Sequence, residues 1–152
     1  MIRMTTARRV LDVLAASSTL TGVDVLDAIP VQNVPRECIA FGSIDGESME
    51  LPQIRGSARR PFDDYWTMHL VVHVATPGAT SFEARTRCEA IASAVWDLVA
   101  DDPAFRSPTP ISGLISVQPQ NCLGPNSYPR DEMTGFNAEM TLLLSCHSHI
   151  VN

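Results

Sequence analysis

The chain has 152 residues, 45% hydrophobic and only 18% charged, with 17 Asp and Glu against 11 Lys and Arg for a formal net charge of -6. That length suits one domain, 1–152, with a sizeable core and is too short for two ordinary ones. The acidic balance argues against a module that grips nucleic acid through clustered basic side chains.

The first predicted element is a helix from about Thr6 to Ala16, because Ala7, Val10, Leu11 and Leu14 recur on one face. Val23-Asp24-Val25-Leu26 reads as a short strand. After Pro30 and Pro35, Glu37 to Gly42 reads as a second, possible neighbour of the first in a sheet. From Ser43 to Asp64 periodicity lapses around the Asp45-Gly46 turn signal, Gly56 and Pro61, which predicts a long loop. A long strand, Tyr65 to Ala75, follows: Trp66, Met68, Leu70, Val72 and Val74 share one face, while Tyr65, Thr67, His69, Val71 and His73 share the other. Thr80 and Glu83 then form a T-x-x-E capping box for a helix over Ser81 to Ala100, whose stripe is Ala84, Cys88, Ile91, Val95 and Leu98. Asp101, Asp102 and Pro103 end it.

Ile111 to Val117 reads as a strand. Gln118 to Met133, with Pro119, Gly124, Pro125 and Pro129, reads as a second irregular stretch. The final strand runs from Gly135 to about Cys146, with Phe136, Ala138, Met140, Leu142, Leu144 and Cys146 on one face. The expected fold class is therefore α+β, a mostly antiparallel sheet with two main helices packed on one face. The loops Glu47 to Asp64 and Gln118 to Met133 are expected to be mobile in the free subunit.

The residues that could carry chemistry do not converge in sequence. His69 and His73 share a strand face but lie about 13 Å apart, too far to hold one metal ion without a partner strand, so half-buried or interface histidines are the expectation. His147 and His149 near the C-terminus read as exposed. Cys38, Cys88, Cys122 and Cys146 lack C-x-x-C spacing and read as free thiols in a reducing compartment. No G-x-S-x-G elbow occurs, Cys122 lies in a predicted loop, and a P-loop is impossible in a chain whose basic residues are all arginine. Asp63-Asp64 and Asp101-Asp102 read as element boundaries more than as cation sites. No catalytic, cofactor or metal residue is assigned. Arg3, Arg8, Arg9 and Asp12 interrupt any signal-peptide core, and no segment is long and apolar enough to span a bilayer, so the cytoplasm of the producing cell is expected.

Taken whole, the chain resembles the tail terminator (tail completion) proteins of long-tailed bacteriophages. The resemblance is carried by the Arg8-Arg9-Val10-Leu11-Asp12-Val13-Leu14 helix, the Val23 to Leu26 strand and Cys38-Ile39-Ala40-Phe41-Gly42-Ser43-Ile44-Asp45-Gly46. It continues through the Trp66 to Val74 strand, the Glu83 to Ile91 helix and Gly135-Phe136-Asn137-Ala138-Glu139-Met140. It implies a structural virion protein of the tail, assembled in the host cytoplasm as a ring, usually hexameric. Such a ring caps the tail tube and joins it to the head connector. The implied partners are other copies of the chain, the tail tube protein and the head-tail connector protein, with no cofactor, no membrane and no sequence-specific nucleic acid. Arg55, Arg59, Arg60, Asp63 and Asp64 are the candidate subunit or tail interface. The alternatives are another neck or tail-completion component, or a small cytosolic ligand-binding domain or enzyme.

Overall fold

The computed structural model describes residues 2–46, 62–77, 80–106, 109–129 and 135–150. Helix α1 (Ile2–Ala15) buries Ala7, Val10, Leu11 and Leu14, the expected stripe, together with Thr6. It begins a turn earlier than its apolar period predicts. Ile2 packs at the margin of the core, and Arg3 reaches across to the sheet and anchors that turn. Strand β1 (Asp24–Leu26) neighbours β2 (Glu37–Asp45), as their proximity in sequence suggested, and the structure shows the pairing to be parallel.

The sheet order is β1-β2-β3-β5-β4, with β3 (Phe62–Pro77) and β5 (Gly135–Ile150) antiparallel at the centre and β4 (Leu114–Pro129) antiparallel to β5 at the edge. The α+β class and the mostly antiparallel sheet are as expected. Helix α2 (Ser81–Asp101) starts in a complete capping box. The Thr80 hydroxyl accepts from the Glu83 N–H at 3.2 Å, and the Thr80 N–H donates to the Glu83 carboxylate at 2.6 Å, so two of the orphan N–H groups of the first turn are satisfied. Its buried stripe is Ala84, Cys88, Ile91, Ala92, Val95 and Val99. Leu98, assigned to that stripe from sequence, is only partly buried and packs at its margin.

Two expectations fail. Gln118 to Pro129 is not an irregular loop but the greater part of β4, and Cys122 therefore lies in a strand. Three register shifts, at Leu114/Ser116, Pro119/Asn121 and Leu123/Asn126, each insert a residue and erase the alternation that marks a strand in sequence. The prolines are tolerated because β4 is an edge strand. At the third shift Gly124 has φ +104, and a Cβ there would lie 2.9 Å from the Glu139 carbonyl oxygen, so glycine is required. Likewise Ser43 to Asp45 extend β2 past a bulge between Phe41 and Ile44, while Phe62 to Asp64 open β3. The remainder of the expected loops, residues 47–61 and 130–133, lies outside the described residues.

The core sits between the helices and one sheet face. Met68, Leu70, Val72, Val74, Leu142, Leu144 and Cys146 from the sheet and Val95 and Val99 from α2 are all wholly buried, joined by Val10 and Leu14 of α1. Trp66, Met68, Leu70 and Val72 thus meet Ile91 and Val95 in one cluster, as the strand and helix patterns required.

Candidate functional site

Two ion pairs tie the helices to the sheet, one with a buried carboxylate and one more exposed. Arg3 of α1 donates to both oxygens of Asp64 at 3.0 and 2.8 Å, and Arg87 of α2 donates to both oxygens of Glu37 at 2.8 and 2.6 Å. These forked contacts are the geometry guanidinium and carboxylate favour. Of the sequence-assigned interface residues, Asp64 is therefore turned to the helix side and buried against Arg3. Its neighbour Asp63, one step along the strand, projects from the opposite face. Arg55, Arg59 and Arg60 lie outside the described residues.

That opposite, helix-free face gathers the remaining strand charges. By register it carries Asp24 of β1, Asp45 of β2, Asp63 of β3 and Glu139 of β5, with all four histidines. Each histidine meets a carboxylate: His69 Nε2 lies 2.8 Å from Asp45, His73 Nδ1 3.2 Å from Glu139, and His149 Nδ1 2.9 Å from Asp63. His147 Nε2 is 3.5 Å from the same Asp63 oxygen, an electrostatic contact too long for a good hydrogen bond. The His147 ring stacks on Tyr65 with centroids 4.3 Å apart and planes at 15°, so it is not the free, exposed side chain the sequence suggested. His69 is half-buried, as expected, whereas His73 is buried more deeply than that reading gave it.

The hydrogen bond from His149, helped by His147, holds the Asp63 carboxyl below its ordinary value of 3.8. Burial, then the charges of Asp24 and Glu139, push the Cys38 thiol up. Tyr128 donates to Glu139 at 3.2 Å, and burial followed by that carboxylate raises its phenol. Around these groups the face is uncharged: Thr67, Thr141, Leu143 and Ser145 lie between the pairs, and Gln118, Asn121, Leu123 and Asn126 line it on β4. Among the described residues no strand contains an arginine. The described arginines lie in α1, in α2, at Arg36 and at Arg106.

The other concavity of note is a cleft of about 960 Å³ beside the N-terminus of α1, lined by Ile2, Arg3, Asp64, Ile111, Leu114 and His149 among others. Its charged groups among the described residues are paired, Arg3 with Asp64 and His149 with Asp63 outside the cleft. Cys122 is not an activated nucleophile, since burial raises its thiol and an attacking cysteine needs the reverse. Among the described residues no group of three or more His, Cys, Asp or Glu is placed to hold a metal ion. The four cysteines are free.

Sequence alternation placed His69 with His73, but it left Asp63 and Asp64 together in a loop and could not show that β5 runs beside β3. That adjacency is what joins His147 and His149 to Asp63, and Glu139 to His73.

A mostly antiparallel sheet with its two helices packed on one face defines an α+β class. A chain of the "Virion of native gene transfer agent (GTA) particle" superposes with a TM-score of 0.57 over 93% of this chain and 92% of its own length, at 16% sequence identity. At that identity the likeness is one of fold. Neither a protein-family model nor a curated protein sequence matches the chain.

Proposed function

We propose that this chain is a structural subunit of a phage-like virion, which closes the tail tube as an oligomeric ring, hexameric by the resemblance, and joins the tail to the head connector. The observation that carries the reading is the end-to-end fold likeness to a chain of a gene transfer agent virion, which spans nearly the whole of both chains. It coincides with the likeness of the sequence to tail terminators. The low charged fraction and the absence of an activated nucleophile among the described residues agree with a role in assembly rather than catalysis. In this reading the partners are further copies of the chain, the tail tube protein and the connector, and Arg55, Arg59, Arg60 and Asp63 belong to a subunit or tail contact.

Size-exclusion chromatography with light scattering, followed by electron microscopy, tests the ring directly. The expected result is a closed oligomer that co-sediments with tail tubes. Charge reversal at Arg59 and Arg60 weakens attachment while the fold is retained, and alanine at Cys122 or His69 leaves assembly intact. A folded chain that stays monomeric at every concentration and ignores tail tubes overturns the reading.

A further inference from the structure

We propose that the connection between β1 and β2 is an apolar arm that seats in the cleft beside α1 of a neighbouring copy of the chain, a head-to-tail subunit contact; this rests on the ring reading above. The arm is the segment 27–36. It exposes three branched aliphatic side chains within a short stretch, Ile29 at 38%, Val31 at 98% and Val34 at 39%. Scattered exposed aliphatics are ordinary, but three on one connection form an uncovered apolar surface of the kind that marks a protein contact. Pro30 and Pro35 fix two of its φ angles, and Asn33 at φ +56 turns the chain between Val31 and Val34. An arm so constrained loses little freedom when it is held.

The receiving side is the cleft of about 960 Å³, lined by Ile2, Pro110, Ile111, Leu114 and Ile115 beside its paired charges. That volume is at the upper end of the ~300–1,000 Å³ typical of binding clefts. One wall is held in place within the chain. The Thr109 hydroxyl lies 3.0 and 2.7 Å from the Ile111 and Leu114 carbonyl oxygens, and the His149 N–H donates to the Gly113 carbonyl at 2.6 Å. Arm and cleft lie on opposite margins of the molecule. The arm borders β1, and the cleft wall leads into β4, the two outer strands of the order β1-β2-β3-β5-β4. Val31, almost wholly exposed, does not enter the cleft of its own chain. An arm on one margin and a recess of matching apolar chemistry on the other repeat from copy to copy, and such a heterologous contact closes into a ring or extends as a filament. The occupant of the cleft is therefore the arm of a second copy.

The test uses the full chain with Cys122→Ser as background, which leaves only the three buried thiols. Val31→Cys and Ser112→Cys are made in separate chains; both positions are exposed, and Ser112 lies on the cleft wall. Circular dichroism establishes first that every variant folds. The two are mixed dilute, concentrated together and treated with a short thiol-to-thiol cross-linker. The expected product is a dimer whose mapped peptide joins positions 31 and 112, formed by the mixture and by neither variant alone. With both substitutions in one chain the links run from copy to copy, as a ladder that ends at the ring. Val31→Asp in the native sequence weakens self-association roughly tenfold or more in a light-scattering dilution series.

A link of Val31→Cys to itself, a mixture without the 31–112 link, or Val31→Asp rings as tight as wild type each overturn the arm contact and leave the ring reading standing. A Val31→Asp ring that is intact but no longer sediments with tail tubes assigns the arm to the tail and overturns the proposal as well. A wild-type chain that stays monomeric at every concentration removes the ring reading itself and this contact with it, and that outcome is visible before any variant is made.

Discussion

Leu70→Ala tests the architecture at its centre. Leu70 is wholly buried in β3, paired with Phe41 on β2 and Leu142 on β5, and it faces the helices. The substitution removes three methylene-sized groups, about 2.4 kcal/mol of transfer free energy at ~0.8 kcal/mol each. Strands fixed on both sides cannot close fully over the gap, so a residual cavity raises the total to about 3 to 5 kcal/mol. With a urea dependence near ~2 kcal/mol/M, the unfolding midpoint falls by about 1.5 to 2.5 M at unchanged slope. Trp66, which is 3% exposed and lies in the same strand, reports the transition by its fluorescence. The adjacent Val71→Ala, on the helix-free face and half-buried, is the control and costs about 1 kcal/mol or less. Equal shifts for the two variants, or a shift below about 0.5 M for Leu70→Ala, would refute the assignment of the closed core to the even-numbered face of β3.

Thr80→Ala removes the acceptor for the Glu83 N–H and is expected to cost about 1 kcal/mol, read by urea unfolding. The same box holds the Glu83 carboxyl below its ordinary 4.5 through its hydrogen bonds with Thr80. Its contribution to stability is therefore complete above the unfolded pKa and is lost as pH falls through the lower folded one; because the Thr80 backbone N–H is the larger cause and survives in Thr80→Ala, that variant should flatten the acid limb only in part. Asp63 behaves in the same sense: its carboxyl is depressed chiefly by His149. In His149→Ala the Asp63 carbon resonance should titrate at higher pH, and an unchanged titration would show that the His149 contact is not formed in solution. Burial pushes the thiols of Cys88 and Cys146 up to about 12, and Cys38 is buried and raised as well. An aromatic disulfide reagent at mildly alkaline pH should accordingly label half-buried Cys122 first and the other three only on unfolding; rapid labelling of all four would contradict the packing.

Much of the architecture can be read from local pattern, because the forces that set it act within a few residues. The Thr80 box and the Ala84, Cys88, Ile91, Val95 stripe specify α2. The Trp66 to Val74 alternation specifies β3 and the face it buries, and the missing nucleophile motifs are themselves a property of the chain. What local pattern could not supply is register. β4 was concealed by three bulges and three prolines, which only an edge position beside β5 makes tolerable. The pairing of Asp63 with His147 and His149, and of Glu139 with His73, depends on β3 and β5 being neighbours across more than 60 residues of sequence. Residue types and alternation state which side chains share a face of one strand. Only the hydrogen-bond ladder between strands decides which faces coincide, and so gathers the four histidines with Asp45, Asp63 and Glu139 on one side of the sheet and leaves the helices on the other.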